Sequence, residues 1–507
     1  LPRTFRPAVA RIGRGLGPAV LVAVFWIAIA LAGVAAAAFP LSPGASLTGL
    51  TAAILVAPFV LRRFRGVPTD VFDPLVVFAV AYGVMFVLRP GYMLLTHTDY
   101  YALAGVSVDI SGTFRQMQVM GVLGAAAFVV GYEAGFGVHR VSRWRTPAEP
   151  SAAGVAAAAT MVAAVGAAAT VAFVASIGGP QVLFAGRSEA YFEVLGGASK
   201  YLYYAPTLLI GAGLLYLVAW VKDRKGAYLV GFAASSLLLL MVRAPVGSRL
   251  ALFPLLAAPV LLLYLVRGRR PRVWSVTVVA LIAVVASSVV LNSRTQNARE
   301  EGGVATAVRA VVADPLKAFA PLTEGQDAAI APALAAALTV VPVEIGHTHG
   351  GATVGDLLSR AVPRAVWPEK PKPPRERVVE ALFGKAYAQG LANPEFSLLF
   401  AWFLDWGWIG MFALVPLGAA VRLAAEYGFH NSRNTLVMAL FASSWPMFAA
   451  SLRDTPVDSA VRAAFVVAPV AAVAVFHLTR RQRTQPSPAH LPNGRNPARH
   501  DTWAIDR

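Results

Sequence analysis

The chain has 507 residues, of which 57% are hydrophobic and 14% charged, with a formal net charge of +18 and a mean hydropathy of +0.61. That is more apolar surface than a soluble fold of this length can bury, so the bilayer is the expected solvent, and the runs do not alternate as strands of a membrane barrel would. With no Cys there is no disulfide, thiolate nucleophile or Cys-ligated zinc, and the cations sit in short loops between apolar runs, which speaks for membrane orientation and against nucleic acid.

Apolar runs long enough for helices lie at about Leu16 to Phe39, Leu47 to Leu61, Val71 to Leu88, Met117 to Ala134, Val155 to Ile177 and Tyr201 to Val221. The second half adds Ala227 to Val242, Leu250 to Val266, Val273 to Leu291, Phe396 to Val421, Thr435 to Ala450 and Val461 to Leu478. The expected fold class is therefore all-α and polytopic, with about twelve transmembrane helices. Residues 1–291 carry helices one to nine, 292–395 a large extracytoplasmic loop, 396–478 the last three helices, and 479–507 a polar tail expected to be disordered.

Orientation follows from loop cations, which are retained on the cytoplasmic side. Placing both termini inside a bacterial plasma membrane puts about nineteen Lys and Arg in inner loops, Arg62 and Arg422 among them, against about seven in short outer loops. The small residues Ala35 to Ala38 imitate a signal-peptidase site, but the run from Leu16 is long enough to stay as an anchor. The loop from Asn292 to Glu395 is too long for a tight connection. It holds helix candidates at Thr306 to Val312 and Ala328 to Val343, the second broken by Pro332.

Four groups of residues could carry chemistry. Arg187, Arg243, Arg249 and Arg294 lie at the outer ends of helices, where the orientation rule does not call for them, and guanidinium groups there could cradle an anion; snorkelling to headgroups is the plain alternative. The run Pro363 to Arg375 is rich in Pro and locally basic, and places Arg364, Trp367 and Lys370 on a stiff backbone; its plain reading is a solvated loop. Glu344, His347 and His349 offer acid–base groups in a Gly-loosened turn, with too few ligands nearby for a metal. Asp405 falls inside an apolar helix just before Trp406-Gly407-Trp408-Ile409-Gly410, and should face a partner or a wet cavity.

These motifs, in their order, resemble the oligosaccharide repeat-unit polymerases of the O-antigen polymerase (Wzy-type) family. The resemblance covers about Val71 to Gly410: Asp73-Pro74 opening a helix that ends in Leu88-Arg89-Pro90, Gly186-Arg187, Gly247-x-Arg249, the Pro-Arg-x-x-Trp-Pro-x-Lys-Pro segment from Pro363 to Pro371, and the helix with Trp406, Gly407 and Gly410. It implies a GT-C-like fold and transfer of a growing glycan from undecaprenyl pyrophosphate to the next lipid-linked repeat, without cofactor or metal. Arg187, Arg249 and Arg364 would then touch pyrophosphate and sugar, and Thr353 matches a Gly-x-Thr element. A lipid-linked oligosaccharide, membrane lipids, a chain-length regulator and a flippase are the partners this implies. Of the acid–base candidates His347 is preferred, because imidazole as a residue type titrates near neutrality. A transporter or flippase of the same lipid, or an O-antigen ligase, would need similar cations.

Overall fold

A computed structural model of the chain describes residues 43–66, 70–103, 106–141, 144, 146–181, 200–243, 249–268, 271, 309, 313–314, 329–362, 366–367, 369–384, 394 and 396–484. Eight of its helices are long and apolar enough to cross a membrane, or nine if one bent pair counts as a single span. They are α1 (Gly44–Phe64), α2 (Pro74–Thr96), α3 (Phe114–Ala134), α4 (Ala152–Ser176), α5 (Tyr201–Asp223), α6 (Gly226–Arg243), the stretch Leu398–His430, and Thr435–Arg453. Each matches an apolar run in the sequence. The expected helices Leu16 to Phe39 and Val273 to Leu291 lie outside the described residues, as do most of Thr306 to Val312 and the tail beyond Thr484.

Other runs depart from the expected spans. Helix α7 (Arg249–Arg267) holds Pro254 and Pro259, and its apolar part, Leu252–Arg267, is a shorter helix. Helix α8 (Ile330–Val340) has 11 residues, too few to cross, and is buried along nearly its whole length. Two short helices follow it, α9 (Asp356–Ala361) and α10 (Pro374–Phe383).

The expected single helix from Phe396 to Val421 is broken. Helix α11 (Leu398–Trp406) stops at Gly407, whose φ of 58° is open to glycine, and a turn leads into α12 (Leu414–His430). A Cβ on Gly410 would overlap the Trp402 carbonyl, eight residues back, so the backbone packs closely on itself at this break, while the stretch Leu398–His430 as a whole stays one span. After α13 (Thr435–Arg453), the last run forms α14 (Pro456–Val466) and α15 (Ala468–Thr484), bent by 60°. The all-α expectation also missed an antiparallel hairpin, β1 (Tyr100–Leu103) with β2 (Val106–Asp109), in register Tyr101↔Val108.

Close packing fixes the bundle. A Cβ on Gly131 would overlap the Val415 carbonyl and one on Gly418 the Phe128 carbonyl, so α3 and α12 meet backbone to backbone, as small residues allow between helices in lipid. The bundle has two distinguishable ends. At one, Glu149 meets Lys222 and Thr435, Thr146 meets Asn431, and Arg62 meets Asp73 and Glu133. At the other, called here the loop end, Thr113 donates to the Ala335 carbonyl and Tyr201 to the Arg360 carbonyl. The described residues of α8 and α9 therefore lie at the end opposite Arg62.

Candidate functional site

The site is built on the tyrosines that open α5. Among them, the Tyr201 hydroxyl donates to the carbonyl of Arg360, and Tyr203 supplies both its carbonyl and its ring to Arg243. Tyr204 lies with its ring centroid 5.5 Å from the guanidinium of Arg462. One turn of helix thus joins three arginines from distant parts of the chain.

Arg360 is held by a fork. Its Nε and Nη2 donate to the two oxygens of Asp356, one helical turn earlier, at 3.1 and 2.9 Å, and its Nη1 to Asp458 at 2.5 Å. Burial alone would lower the Arg360 pKa; the Asp458 and Asp356 carboxylates outweigh it and hold the group above the ordinary guanidinium value. Asp458 also accepts from Arg375 at 3.2 Å and from the Thr455 hydroxyl at 2.9 Å. Thr455 caps α14 with Pro456 behind it, which places Asp458 in the first turn, where the helix dipole favours a carboxylate. Arg462 pairs with Asp454. Asp356, Asp454 and Asp458 thereby match Arg360, Arg375 and Arg462.

Arg243 stands outside this balance. It ends α6, is 1% exposed, and donates from Nη2 to the Tyr203 carbonyl, while its Nε and Nη1 are buried with no hydrogen-bond partner. Its guanidinium lies 4.1 Å from the Tyr203 ring centroid and 5.6 Å from that of Phe173. Two cation–π contacts recover part of the lost hydration, and no carboxylate among the described residues neutralises it.

A second set surrounds Asp405, which is fully buried. Its carboxylate accepts from the Thr348 hydroxyl at 2.5 Å, the Ala352 amide at 2.7 Å and the Thr353 hydroxyl at 2.5 Å. The amides of Thr348 and His349 bond the carbonyls of Leu404 and Asp405. The partner expected for this carboxylate is thus the turn from Thr348 to Thr353, in which His349 and Gly350 take φ of 46° and 96°. His347 lies over Gly407, edge-on to Phe403 at 5.6 Å, with Nδ1 buried and unpartnered. His349 is exposed and edge-on to Trp406 at 5.9 Å.

The sequence-derived candidates are thus partly brought together. His347 and His349 share one turn, while Glu344 is exposed just beyond α8. Trp367 is exposed, and Lys370, which closes a turn on its carbonyl, reaches the Val362 carbonyl at 3.3 Å. Arg187, Arg294 and Arg364 lie outside the described residues, as does the side chain of Arg249 at the start of α7. The carboxylates Asp356 and Asp458 were missed, although an Asp–Arg pair at i,i+4 and a Thr-Pro-x-Asp cap are readable signals.

A cleft of about 450 Å³ between α1 and α2 is lined by apolar side chains such as Leu55, Phe59 and Val80, and has no part in these polar clusters. The chain matches no family model, no curated protein and no solved structure.

Proposed function

We propose that this chain is a membrane glycosyltransferase that polymerises oligosaccharide repeat units carried on a lipid pyrophosphate, at the outer face of a bacterial plasma membrane. On this reading the fold is GT-C-like with about twelve spans, both termini cytoplasmic, and the loop end outside. The observation that carries the proposal is Arg243. A buried guanidinium with two unmatched donors is costly unless an anion arrives to meet it, and a pyrophosphate leaving group supplies that charge in the transition state. The resemblance of the motif order to repeat-unit polymerases supports the choice of lipid-linked glycan as substrate.

Arg187, Arg249, Arg294 and Arg364 are assigned to the same anion. Trp367 and Lys370 extend the surface towards the sugars, with Trp367 offering a stacking face. The proton of the acceptor hydroxyl is assigned to His347, held on the turn that Asp405 anchors, with His349 and Glu344 as the other candidates. A chain-length regulator and a flippase would be its neighbours in the membrane.

The test is a polymer ladder from cells that depend on this chain. Arg243→Ala and Arg249→Ala should leave carrier-linked single repeats unpolymerised at unchanged membrane abundance, and Lys should rescue only in part because it lacks the bidentate fork. Trp367→Ala and Lys370→Ala should shorten the ladder. Arg267→Ala, at the opposite end of α7 from Arg249, should lengthen chains normally. Normal ladders from both Arg243→Ala and Arg249→Ala would overturn the proposal in favour of a transporter of the same lipid.

A further inference from the structure

Two short helices at the loop end bury opposite kinds of surface. Helix α10 buries Val378, Val379 and Phe383 and exposes Arg377, the arrangement water imposes. Helix α9 does the reverse. Asp356 and Arg360 point inward to their ion pair and to Asp458, while Val354, Leu357 and Leu358 are 60%, 43% and 66% exposed. Those three positions stand at i, i+3 and i+4 and so lie on one face of the segment.

An element that hides its charges and presents its aliphatic side chains is stable only where the outside is apolar, because ionisable groups in lipid turn towards the protein interior. The surroundings of α9 agree. The Thr348–Thr353 turn that leads into it is bonded to Asp405, and the next residues of that chain, Trp406, Trp408, Ile409 and Phe412, are exposed on the stretch Leu398–His430, itself long and apolar enough to span. Exposed Trp at the end of an apolar helix is the mark of a membrane boundary.

We infer that the segment Gly351–Ala361, inside what reads as an aqueous loop, lies in the bilayer at the loop end with Val354, Leu357 and Leu358 against acyl chains. The inference concerns lipid contact and stands whether or not the chain transfers sugars.

The chain has no Cys, so single labels can be placed directly. Val354→Cys, Leu357→Cys and Leu358→Cys, with Arg377→Cys as the water-facing reference, would each carry a nitroxide in the full-length protein in liposomes. Collision rates with oxygen, which concentrates in the acyl region, and with a water-soluble nickel chelate report where each label sits. A ratio of oxygen to nickel collisions several-fold higher at 354, 357 and 358 than at 377 is the expected result. Ratios equal to that at 377 would overturn the inference by placing α9 in water. Labels shielded from both agents would also overturn it, with dipolar broadening between labels identifying a second copy as the occupant. The substituted side chains are exposed, and elution as the unlabelled protein confirms that each variant is folded.

Discussion

The two ends of the bundle both bury arginines, and they treat them differently. At the end opposite the loop, Arg62 reaches Asp73 and Glu133 at 2.5 Å each, Arg422 pairs with Glu426 at 2.6 Å, and both guanidinium groups lie over the ring of Tyr132, whose hydroxyl donates to Asp73. Two guanidinium groups there face three carboxylates. At the loop end, Asp356, Asp454 and Asp458 are matched by Arg360, Arg375 and Arg462, and Arg243 is left over. A cluster closed on itself ties helices together; a cluster with an unmatched cation has something still to bind. On the proposed reading that difference assigns the chemistry to the loop end, even though both ends offer buried charge.

That contrast is broken or sharpened most strongly by deleting one arginine from each end. Arg62→Ala removes the shared partner of Asp73 and Glu133 and leaves one buried and one partly buried carboxylate without it, for a loss of up to about 3–5 kcal/mol. Thermal unfolding in detergent should show a large drop in Tm and low recovery of folded protein. Arg243→Met should do the opposite. It replaces an uncompensated charge with an apolar chain of similar length, so stability should hold or rise, by up to about 1–4 kcal/mol. A fall in Tm as steep as that of Arg62→Ala would mean that Arg243 is a structural strut, and the contrast between the two ends would fail.

The Asp405 turn is the next smaller test. Asp405→Ala leaves the hydroxyls of Thr348 and Thr353 and the amide of Ala352 without their acceptor, which should cost about 1–3 kcal/mol. Because the turn carries His347 and His349, limited proteolysis between Gly346 and Gly350 should speed up before the helices unfold. Equal protection in wild type and variant would show that the turn is held by its backbone bonds to α11 alone.

Much of this architecture was legible in the sequence, because apolar runs of the length a bilayer needs are a strong local signal. All eight described long helices fall on such runs. Reading failed where tertiary contact overrides local pattern. The run Phe396 to Val421 is apolar apart from Ser397 and Asp405, and it breaks at the positive φ of Gly407. Arg62 and Arg422 looked like free loop cations, yet each is neutralised by a carboxylate, Asp73 from 11 residues away and Glu133 from 71 in the case of Arg62. For the site, Arg243, His347 and Asp405 could be singled out by residue type and position. That Arg243 is unmatched while Arg360 is saturated depends on Asp458, 98 residues beyond Arg360.

The smallest expected effect lies on the surface near the closed end, where Glu149 accepts from Lys222 and Thr435 at 2.7 Å each. Burial alone would raise the Glu149 pKa, but its bonds to Lys222 and Thr435 outweigh that and hold it below the ordinary value of 4.5. A folded-state pKa below the unfolded one means that the stabilisation is fully present above that ordinary value and is lost as pH falls through the folded one. The side chain is 45% exposed, so solvent screens the pair and its worth is a fraction of about 1 kcal/mol, less again at high salt. The Tm gap between wild type and Glu149→Gln should therefore be small and positive near pH 7, and should narrow as pH falls below the ordinary carboxylate value or in strong salt. A gap unchanged by either condition would mean that the contact acts through the neutral hydrogen bond to Thr435, and that the ion pair with Lys222 adds nothing to the closed end.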